Sequence, residues 1–129
     1  MLTVLFFCTH NAGRSQMAEA FFNRMGKGKA RGISAGSQPK NRVNPVVVQV
    51  MQELGINISD KEPKRLTPAM IAGADRIISM GCGDACPITP TAQEDWRIDD
   101  PEGKTLDQVR RIRDKVQARV DSLVKELNI

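Results

Sequence analysis

A cysteine and an arginine stand six positions apart in the segment CTHNAGRS, which follows a short apolar run near the N-terminus. A loop that leaves a buried strand and enters a helix directs backbone N–H groups into a hollow, and the helix dipole adds positive charge there. Such a hollow binds tetrahedral oxyanions, and its field favours the nucleophilic thiolate of Cys8. Arg14 can direct its guanidinium fork at two oxygens of the bound anion. The pair therefore predicts nucleophilic chemistry on an oxyanion.

The residues around this pair are typical of a tight anion-binding loop. Gly13 permits the backbone angles of a cradle, and Asn11 tolerates left-handed geometry while its side chain can hold loop amides or carbonyls together. Ser15 can cap the following helix and can also donate a hydrogen bond to the Cys8 sulfur. The predicted oxyanion-binding loop comprises Thr9, His10, Asn11, Ala12, Gly13, Arg14 and Ser15. We assign no direct catalytic role to the histidine, because a single loop histidine is usually incidental.

The segments on either side of the loop have the patterns of a strand and a helix. Leu2 to Phe7 is a continuous apolar run, which is typical of a strand buried on both faces of a parallel sheet. From Ser15 onward, apolar residues recur at steps of three and four until the pattern ends near Gly26. Ala30 to Ser34 then predicts a second strand, which ends at an Ala-Gly pair.

The same alternation continues to the C-terminus. Further helices are predicted to open at Asn44-Pro45 and Thr67-Pro68, since proline suits the first turn of a helix. Asp75 to Met80 predicts a third strand, and Asp95 to Ile98 predicts a short fourth strand. The last helix has an apolar face that comprises Leu106, Val109, Ile112, Val116, Val120, Leu123, Val124 and Leu127.

Strands that alternate with helices indicate an α/β fold with a small parallel sheet of about four strands and helices on both faces, in three layers. Ligands of such folds collect at the carboxyl ends of the strands. Cys8, the loop that contains Cys82, and the adjacent Asp99 and Asp100 should therefore meet at one edge of the sheet. At 129 residues we expect a single domain that spans residues 1–129.

Composition restricts the partners and the location. The net charge of +4 favours an anionic partner. Aromatic residues make up only 4% of the chain and tyrosine is absent, so we expect no nucleic acid partner. The run from Leu2 to Phe7 is too short to span a membrane and lacks a basic leader, so we expect a cytoplasmic protein without membrane association. We also expect a monomer, although the sequence leaves the oligomeric state open. The three cysteines are then catalytic, metal-binding or inert rather than structural disulfides.

The loop CTHNAGRS, set between a strand and a helix, resembles the C-x5-R-S loop of low-molecular-weight protein tyrosine phosphatases and of the thioredoxin-coupled arsenate reductases built on their fold. The resemblance extends through SQMAEAFF, ISAG, VNP and DDPEGK, and so covers nearly the whole chain. It implies that Cys8 is the nucleophile and that Arg14 binds the oxyanion. It also implies that Asp100, which directly precedes Pro101, is the general acid, while the neighbouring Asp99 remains a second candidate.

Two further cysteines favour the reductase branch of this resemblance. A phosphatase hydrolyses its cysteinyl phosphate with water, whereas a reductase must deliver two electrons. Cys82 and Cys86, in MGCGDAC, occupy the part of the chain where the reductases carry their redox pair, although that pair is usually further apart. One helical turn would place the two Cα atoms about 6 Å apart, within the reach of a disulfide. The resemblance thus implies that Cys8 attacks arsenate, and that Cys82 and then Cys86 complete a redox-active disulfide that thioredoxin reduces.

Other interpretations remain open. The main alternative is a low-molecular-weight protein tyrosine phosphatase with a cysteinyl-phosphate intermediate, although no tyrosine lies beside Pro101 and Glu102 follows it. A closed zinc site would use Cys8, His10, Cys82 and Cys86. C-x-H combined with C-x3-C is not a common zinc spacing, and such a site would leave Arg14 without a purpose. A phosphocysteine carrier of the sugar-transport kind would usually lack that arginine.

Some reductases of this family hold a potassium ion beside the loop. Asn11, Glu19 and Ser34 match its side-chain ligands, whereas Lys64 stands where those proteins have an acid. Since a lysine can supply the positive charge itself, we predict no potassium requirement, and we expect neither a metal nor a cofactor. The expected substrate is arsenate, with phosphate or sulfate as competing oxyanions. Thioredoxin is the expected reductant, with glutaredoxin or a small thiol as open alternatives.

Overall fold

The computed structural model describes residues 1–81 and 93–129. In this part of the chain the elements are, in order, β1 (Leu2–Cys8), α1 (Arg14–Met25), β2 (Ala30–Gly36), α2 (Pro45–Gln52), α3 (Pro68–Gly73), β3 (Arg76–Ser79), β4 (Gln93–Asp95) and α4 (Leu106–Glu126). The predicted redox pair, Cys82 and Cys86, lies outside the described residues.

The described strands form a parallel sheet in the order β2-β1-β3-β4. β1 pairs along its whole length with β2, from Leu2 opposite Ala30 to Cys8 opposite Gly36, and pairs with β3 on its other side. Because the strands are parallel, their carboxyl ends lie at the same edge. The predicted parallel sheet is confirmed. Cys8, at the end of β1, lies at this edge between the two outer strands of the described sheet, β2 and β4.

Both faces of the sheet are covered. Successive residues of β1 point to opposite faces. Val4, Phe6 and Cys8 belong to a large core that also contains side chains of α1, α2 and α4. Leu5 and Phe7 belong to a smaller core on the other face, against which side chains of α3 pack. This burial on two sides explains why β1 is apolar at consecutive positions rather than alternate ones.

Three of the described helices have side-chain caps, and two of them, α2 and α3, begin where the sequence predicted a helix start. The side chains of Asn44, Thr67 and Thr105 each accept a hydrogen bond from a backbone N–H in the first turn of the helix that follows. These bonds satisfy N–H groups that have no partner within the helix. The most deeply buried residues of α4 are those of the predicted apolar face, namely Val109, Ile112, Val116, Val120 and Leu123. None of the described helices combines the length and apolar composition that crossing a membrane requires.

The strand bounds differ from the sequence-based predictions, by single residues in β1 and β3 and by more in β2 and the fourth strand. β2 continues to Gly36 instead of ending at Ser34, because its pairing with β1 extends to the end of both strands. The fourth strand covers Gln93–Asp95 rather than Asp95–Ile98. Arg97 has a φ of 52°, and this left-handed conformation is incompatible with an extended strand. The apolar residues on either side of it, which suggested a strand, pack into the main core instead.

A buried arginine connects α4 to the end of α2. Arg113 donates from Nη1 to Oε1 of Glu53 at 2.8 Å and to the carbonyl oxygen of Val50 at 2.9 Å. Arg110, one turn earlier, donates to both oxygens of the same carboxylate. The hydrogen bonds from Arg110 and then from Arg113 lower the pKa of Glu53, because they stabilise its ionised form.

Replacement of Glu53 by glutamine should therefore lower the free energy of unfolding, and the loss should be larger at neutral pH than in acid. A carboxyl group with a lowered pKa contributes stability above its unfolded-state pKa and loses this contribution as the pH falls through its folded-state pKa. Urea unfolding of both proteins at about pH 7 and about pH 3 measures the difference. Asp121→Asn, on an exposed position of α4, is the matched control. An equal loss at both pH values would contradict this assignment.

Candidate active site

The Cys8 thiol lies at the carboxyl end of β1, where the chain leaves the sheet. It is 2% exposed, and its Sγ lies 2.9 Å from Oγ of Ser15 in the first turn of α1. The predicted contact between these two side chains is confirmed. The predicted capping role of Ser15 is wrong, because α1 begins at Arg14 with Gly13 as its N-cap and has no side-chain cap. One turn of helix thus directs the hydroxyl at the sulfur instead of at the helix end.

Asn11 determines the direction of this hydroxyl. It has the left-handed conformation that the sequence suggested, with a φ of 50°. Its Nδ2 donates to Oγ of Ser15 at 2.7 Å, which leaves the serine hydrogen for the Cys8 sulfur. Its Oδ1 accepts from Nε2 of Gln16 at 3.0 Å and from the backbone N–H of Lys64 at 2.8 Å. The carboxamide is therefore fixed on both sides and holds the serine as a donor to the nucleophile.

The main chain at the edge of the sheet positions Arg14. Nη1 donates to the carbonyl oxygens of Met80 at 2.9 Å and Ile98 at 3.0 Å, which lie beyond β3 and β4. Nη2 lies 3.8 Å from Oδ2 of Asp100. The buried guanidinium is thus oriented by acceptors from two other parts of the sheet, and it contributes to the same cleft as Cys8.

The structure distinguishes between the two adjacent aspartates. Asp100 lines the cleft, its Oδ1 accepts from the N–H of Glu102 at 3.0 Å, and its carbonyl oxygen accepts from Nζ of Lys104 at 2.7 Å. Asp99 is exposed and does not contribute to the cleft. Of the two candidate acids, only Asp100 is therefore placed beside Arg14 and the loop of Cys8.

A cleft of about 480 Å³ opens above Cys8. Of the predicted oxyanion-binding loop, His10, Ala12, Gly13 and Arg14 line this cleft. Thr9 supports it through its carbonyl oxygen, which accepts from the N–H of Gln38 at 2.7 Å. Asn11 and Ser15 lie behind it. A thiol, a guanidinium and a carboxyl group therefore share one cavity, an arrangement suited to attack on an oxyanion and protonation of its leaving oxygen.

Several residues of the site were not identified from the sequence, among them Gln16, Lys40, Glu102 and Arg42. Gln16 is buried and bonds to Asn11, and its position directly after the C-x5-R-S motif is a signal that could have indicated it. Lys40 and Glu102 form an ion pair in the lining of the cleft. These two residues are 62 positions apart, so no local pattern connects them.

The residues that match potassium ligands lie behind the loop. Ser34 and Glu19 are both buried, and Oγ of Ser34 donates to Oε2 of Glu19 at 3.2 Å. The carboxamide oxygen of Asn11 is engaged by Gln16 and by the backbone of Lys64. The absence of a potassium requirement stays a prediction.

One group of side chains in the described ranges has the geometry of a metal site. Ligand atoms of His10, Asp100 and Glu102 lie within 4.8 Å of one another. Both carboxylates already have cationic neighbours, since Arg14 lies beside Asp100 and Lys40 pairs with Glu102. The group therefore does not by itself indicate a metal. The zinc interpretation based on Cys8 and His10 needs two cysteines that lie outside the described residues.

Comparisons with known proteins identify the family. Residues 3–129 match the family described as Low molecular weight phosphotyrosine protein phosphatase. The chain belongs to this family. It is 36% identical to the glutaredoxin arsenate reductase of Synechocystis sp., over 99% of this chain and 100% of that relative. It is 37% identical to an arsenate reductase of Brevibacillus brevis, over 92% of this chain and 90% of that relative.

Solved structures of the family share the fold. A thioredoxin-dependent arsenate reductase of Corynebacterium glutamicum is 38% identical and superposes with a TM-score of 0.85 over 99% of this chain, which spans 62% of that longer chain. An arsenate reductase in the phosphate binding state is 34% identical, with a TM-score of 0.87 over 98% of both chains. The YwlE arginine phosphatase of Geobacillus stearothermophilus, at 23% identity and a TM-score of 0.85, shares the fold alone. The predicted fold and family are confirmed.

Replacement of Ser15 by alanine should slow the alkylation of Cys8 by iodoacetamide about tenfold near neutral pH, because the thiolate loses a hydrogen bond that stabilises its charge. Peptide mass spectrometry after timed quenching follows Cys8 separately from the other two cysteines. Ser37→Ala is the control, since its buried Oγ has no hydrogen-bond partner among the described residues. Unchanged alkylation in the Ser15 variant would show that the hydroxyl does not stabilise the thiolate.

Proposed function

We propose that this protein reduces arsenate to arsenite. Cys8, Arg14 and Asp100 meet in one cleft at the carboxyl end of a parallel sheet, where an oxyanion can be bound and attacked. Relatives that match over nearly the whole chain bear the name arsenate reductase. The same loop also serves phosphatases of this family, so the choice of substrate requires a further observation.

That observation is the location of the aromatic side chains. The chain has four phenylalanines, one tryptophan and no tyrosine. All five of these side chains, Phe6, Phe7, Phe21, Phe22 and Trp96, are buried in the two cores. A site for phosphotyrosine needs an apolar or aromatic wall to bind the ring of its substrate. Among the described residues, no aromatic side chain lines this cleft. The absence of an aromatic wall favours a small inorganic oxyanion over an aryl phosphate.

The first step in the proposed reaction is attack on arsenic. Backbone N–H groups of the loop and the Arg14 guanidinium hold the oxygens of arsenate. The Cys8 thiolate forms a bond from sulfur to arsenic, and the bond from arsenic to one oxygen breaks. Asp100 supplies a proton to that oxygen, which leaves as water. Arg14 compensates the charge that remains on the adduct.

The second stage moves two electrons. Cys82 attacks the sulfur of Cys8, the bond from sulfur to arsenic breaks, and arsenite leaves with the electron pair. Cys86 then attacks Cys82, which releases Cys8 as a thiolate and forms a disulfide between Cys82 and Cys86. A dithiol protein reduces this disulfide. The relay needs three thiols and the chain has three, and the resemblance to the reductases supports this order of use.

We propose thioredoxin as the physiological reductant. A protein dithiol suits the regeneration of an intramolecular disulfide, because exchange delivers both electrons to it without leaving a mixed disulfide. One structural neighbour is a thioredoxin-dependent arsenate reductase, whereas a relative of similar identity is a glutaredoxin arsenate reductase. The two reductants are therefore compared directly in the experiment below.

Arsenate should cause NADPH oxidation in the presence of thioredoxin and thioredoxin reductase, and Cys86→Ser should lower this turnover by at least about a hundredfold, because the relay then lacks its last thiol. A parallel assay replaces thioredoxin with glutaredoxin, glutathione and glutathione reductase. Higher turnover in that assay would identify glutaredoxin as the better reductant. The proposal that the protein reduces arsenate would still hold. If neither system shows turnover while para-nitrophenyl phosphate is hydrolysed rapidly with Cys82 and Cys86 replaced, the protein is a phosphatase.

Asp100→Asn should lower kcat/KM for arsenate about a hundredfold, the usual contribution of a general acid, whereas Asp99→Asn should change it by no more than about twofold. The adjacent aspartate is a matched control, since it has the same charge and lies outside the cleft. The steady-state rate of arsenite release, measured over a range of arsenate concentrations, gives kcat/KM for both variants. Equal losses of kcat/KM in the two variants would show that Asp100 is not the general acid.

A further inference from the structure

An ion pair spans the outer part of the active-site cleft. Nζ of Lys40 contacts Oε1 of Glu102, and both residues line the cleft. Lys40 follows β2 and Glu102 follows β4, which are the outer strands of the described sheet. Cys8, at the end of β1, lies between those strands. The two side chains therefore meet across the carboxyl edge of the sheet, above the nucleophile.

The main chain fixes the position of Lys40. The N–H of Gln38 donates to the carbonyl oxygen of Thr9 at 2.7 Å, and the N–H of Lys40 donates to that of His10 at 3.1 Å. These bonds attach the segment after β2 directly to the oxyanion-binding loop. The backbone of Lys40 is thus held at a constant place relative to Cys8, while its long side chain remains able to move.

The position of Glu102 is fixed in a similar way. Its N–H donates to Oδ1 of Asp100 at 3.0 Å. Pro101 packs so closely against the loop that a Cβ on Gly13 would lie 2.7 Å from Cγ of the proline. Glu102 is therefore held next to the proposed acid.

The geometry of the attack by Cys8 explains why the position of this ion pair matters for the choice of substrate. In an in-line displacement the leaving oxygen lies opposite the attacking sulfur and next to the acid. When arsenate loses water, nothing extends beyond that oxygen. An organic phosphate ester carries a carbon group there, next to Asp100. The carboxylate of Asp100 accepts a hydrogen bond from the N–H of Glu102, and Glu102 pairs with Lys40.

We propose that the Lys40–Glu102 ion pair disfavours organic phosphate esters at this site, by obstructing the path of an organic leaving group while inorganic oxyanions reach Cys8. This inference rests on the proposed function and deepens it. The two charges cancel, so the closure does not repel an arsenate dianion, and the cations of Arg14 and Arg42 remain in the lining. The side chains are 39% and 56% exposed, so the pair is weak and its effect on selectivity is about two- to fivefold.

Binding measurements in a Cys8→Ser background, where no covalent step occurs, test the pair by itself. Isothermal titration with inorganic phosphate and with phenyl phosphate gives the ratio of the two dissociation constants. At about pH 8.5 both probes are mainly dianions. A change in local charge then affects both, and the ratio isolates the effect on the organic group. The variants are Lys40→Met, Glu102→Gln and the exchanged pair Lys40→Glu with Glu102→Lys. Glu126→Gln, which removes a similar ion pair with Arg76 outside the cleft, is the control.

The ratio of the phenyl phosphate constant to the phosphate constant should fall about two- to fivefold in each single variant. It should return to its original value in the exchanged pair and stay unchanged in the control. An unchanged ratio in the single variants, or no return in the exchanged pair, would overturn the inference. No reductant or second thiol takes part in these titrations. A failure of arsenate turnover is therefore distinguishable from a failure of the ion pair to discriminate.

Discussion

The hydrogen bond between the Ser15 hydroxyl and the Cys8 sulfur is the interaction on which the rest of the site depends. A thiolate that is almost fully buried is unfavourable unless donors compensate its charge. Asn11 donates to the serine oxygen, and this bond leaves the serine hydrogen free to face the sulfur. Asn11 is in turn held by Gln16 and by the backbone of Lys64. The nucleophile is thus prepared by a chain of contacts that ends well outside its own loop.

The edge of the sheet supplies the second constraint. A buried guanidinium needs acceptors for its N–H groups, and the carbonyl oxygens of Met80 and Ile98 provide them for Arg14. These acceptors follow two different strands, and Cys8 ends a third. The relative positions of the nucleophile, the cation and Asp100 are therefore a property of the sheet, because each of them follows the end of a strand. The loop by itself contains the residues but cannot orient them.

The outer part of the cleft differs in character from the inner part. The inner part presents groups suited to any tetrahedral oxyanion, which agrees with a family that includes both phosphatases and reductases. The outer part has no aromatic wall, because all aromatic side chains of the chain stabilise the two cores. Its boundary is instead the ion pair of Lys40 and Glu102. Selectivity among oxyanions and their esters thus depends on residues distant from the motif.

The sequence by itself determined the parallel α/β fold, the central apolar strand and the loop CTHNAGRS, because hydrophobic periodicity and short motifs are local along the chain. It misplaced the fourth strand, since the left-handed conformation of Arg97 leaves no mark on an alternating apolar pattern. Only the tertiary structure decided that Asp100 rather than Asp99 lies in the cleft. It also decided that Lys40 meets Glu102. The physical reason is that these contacts form where loops from opposite edges of the sheet come together over its carboxyl end.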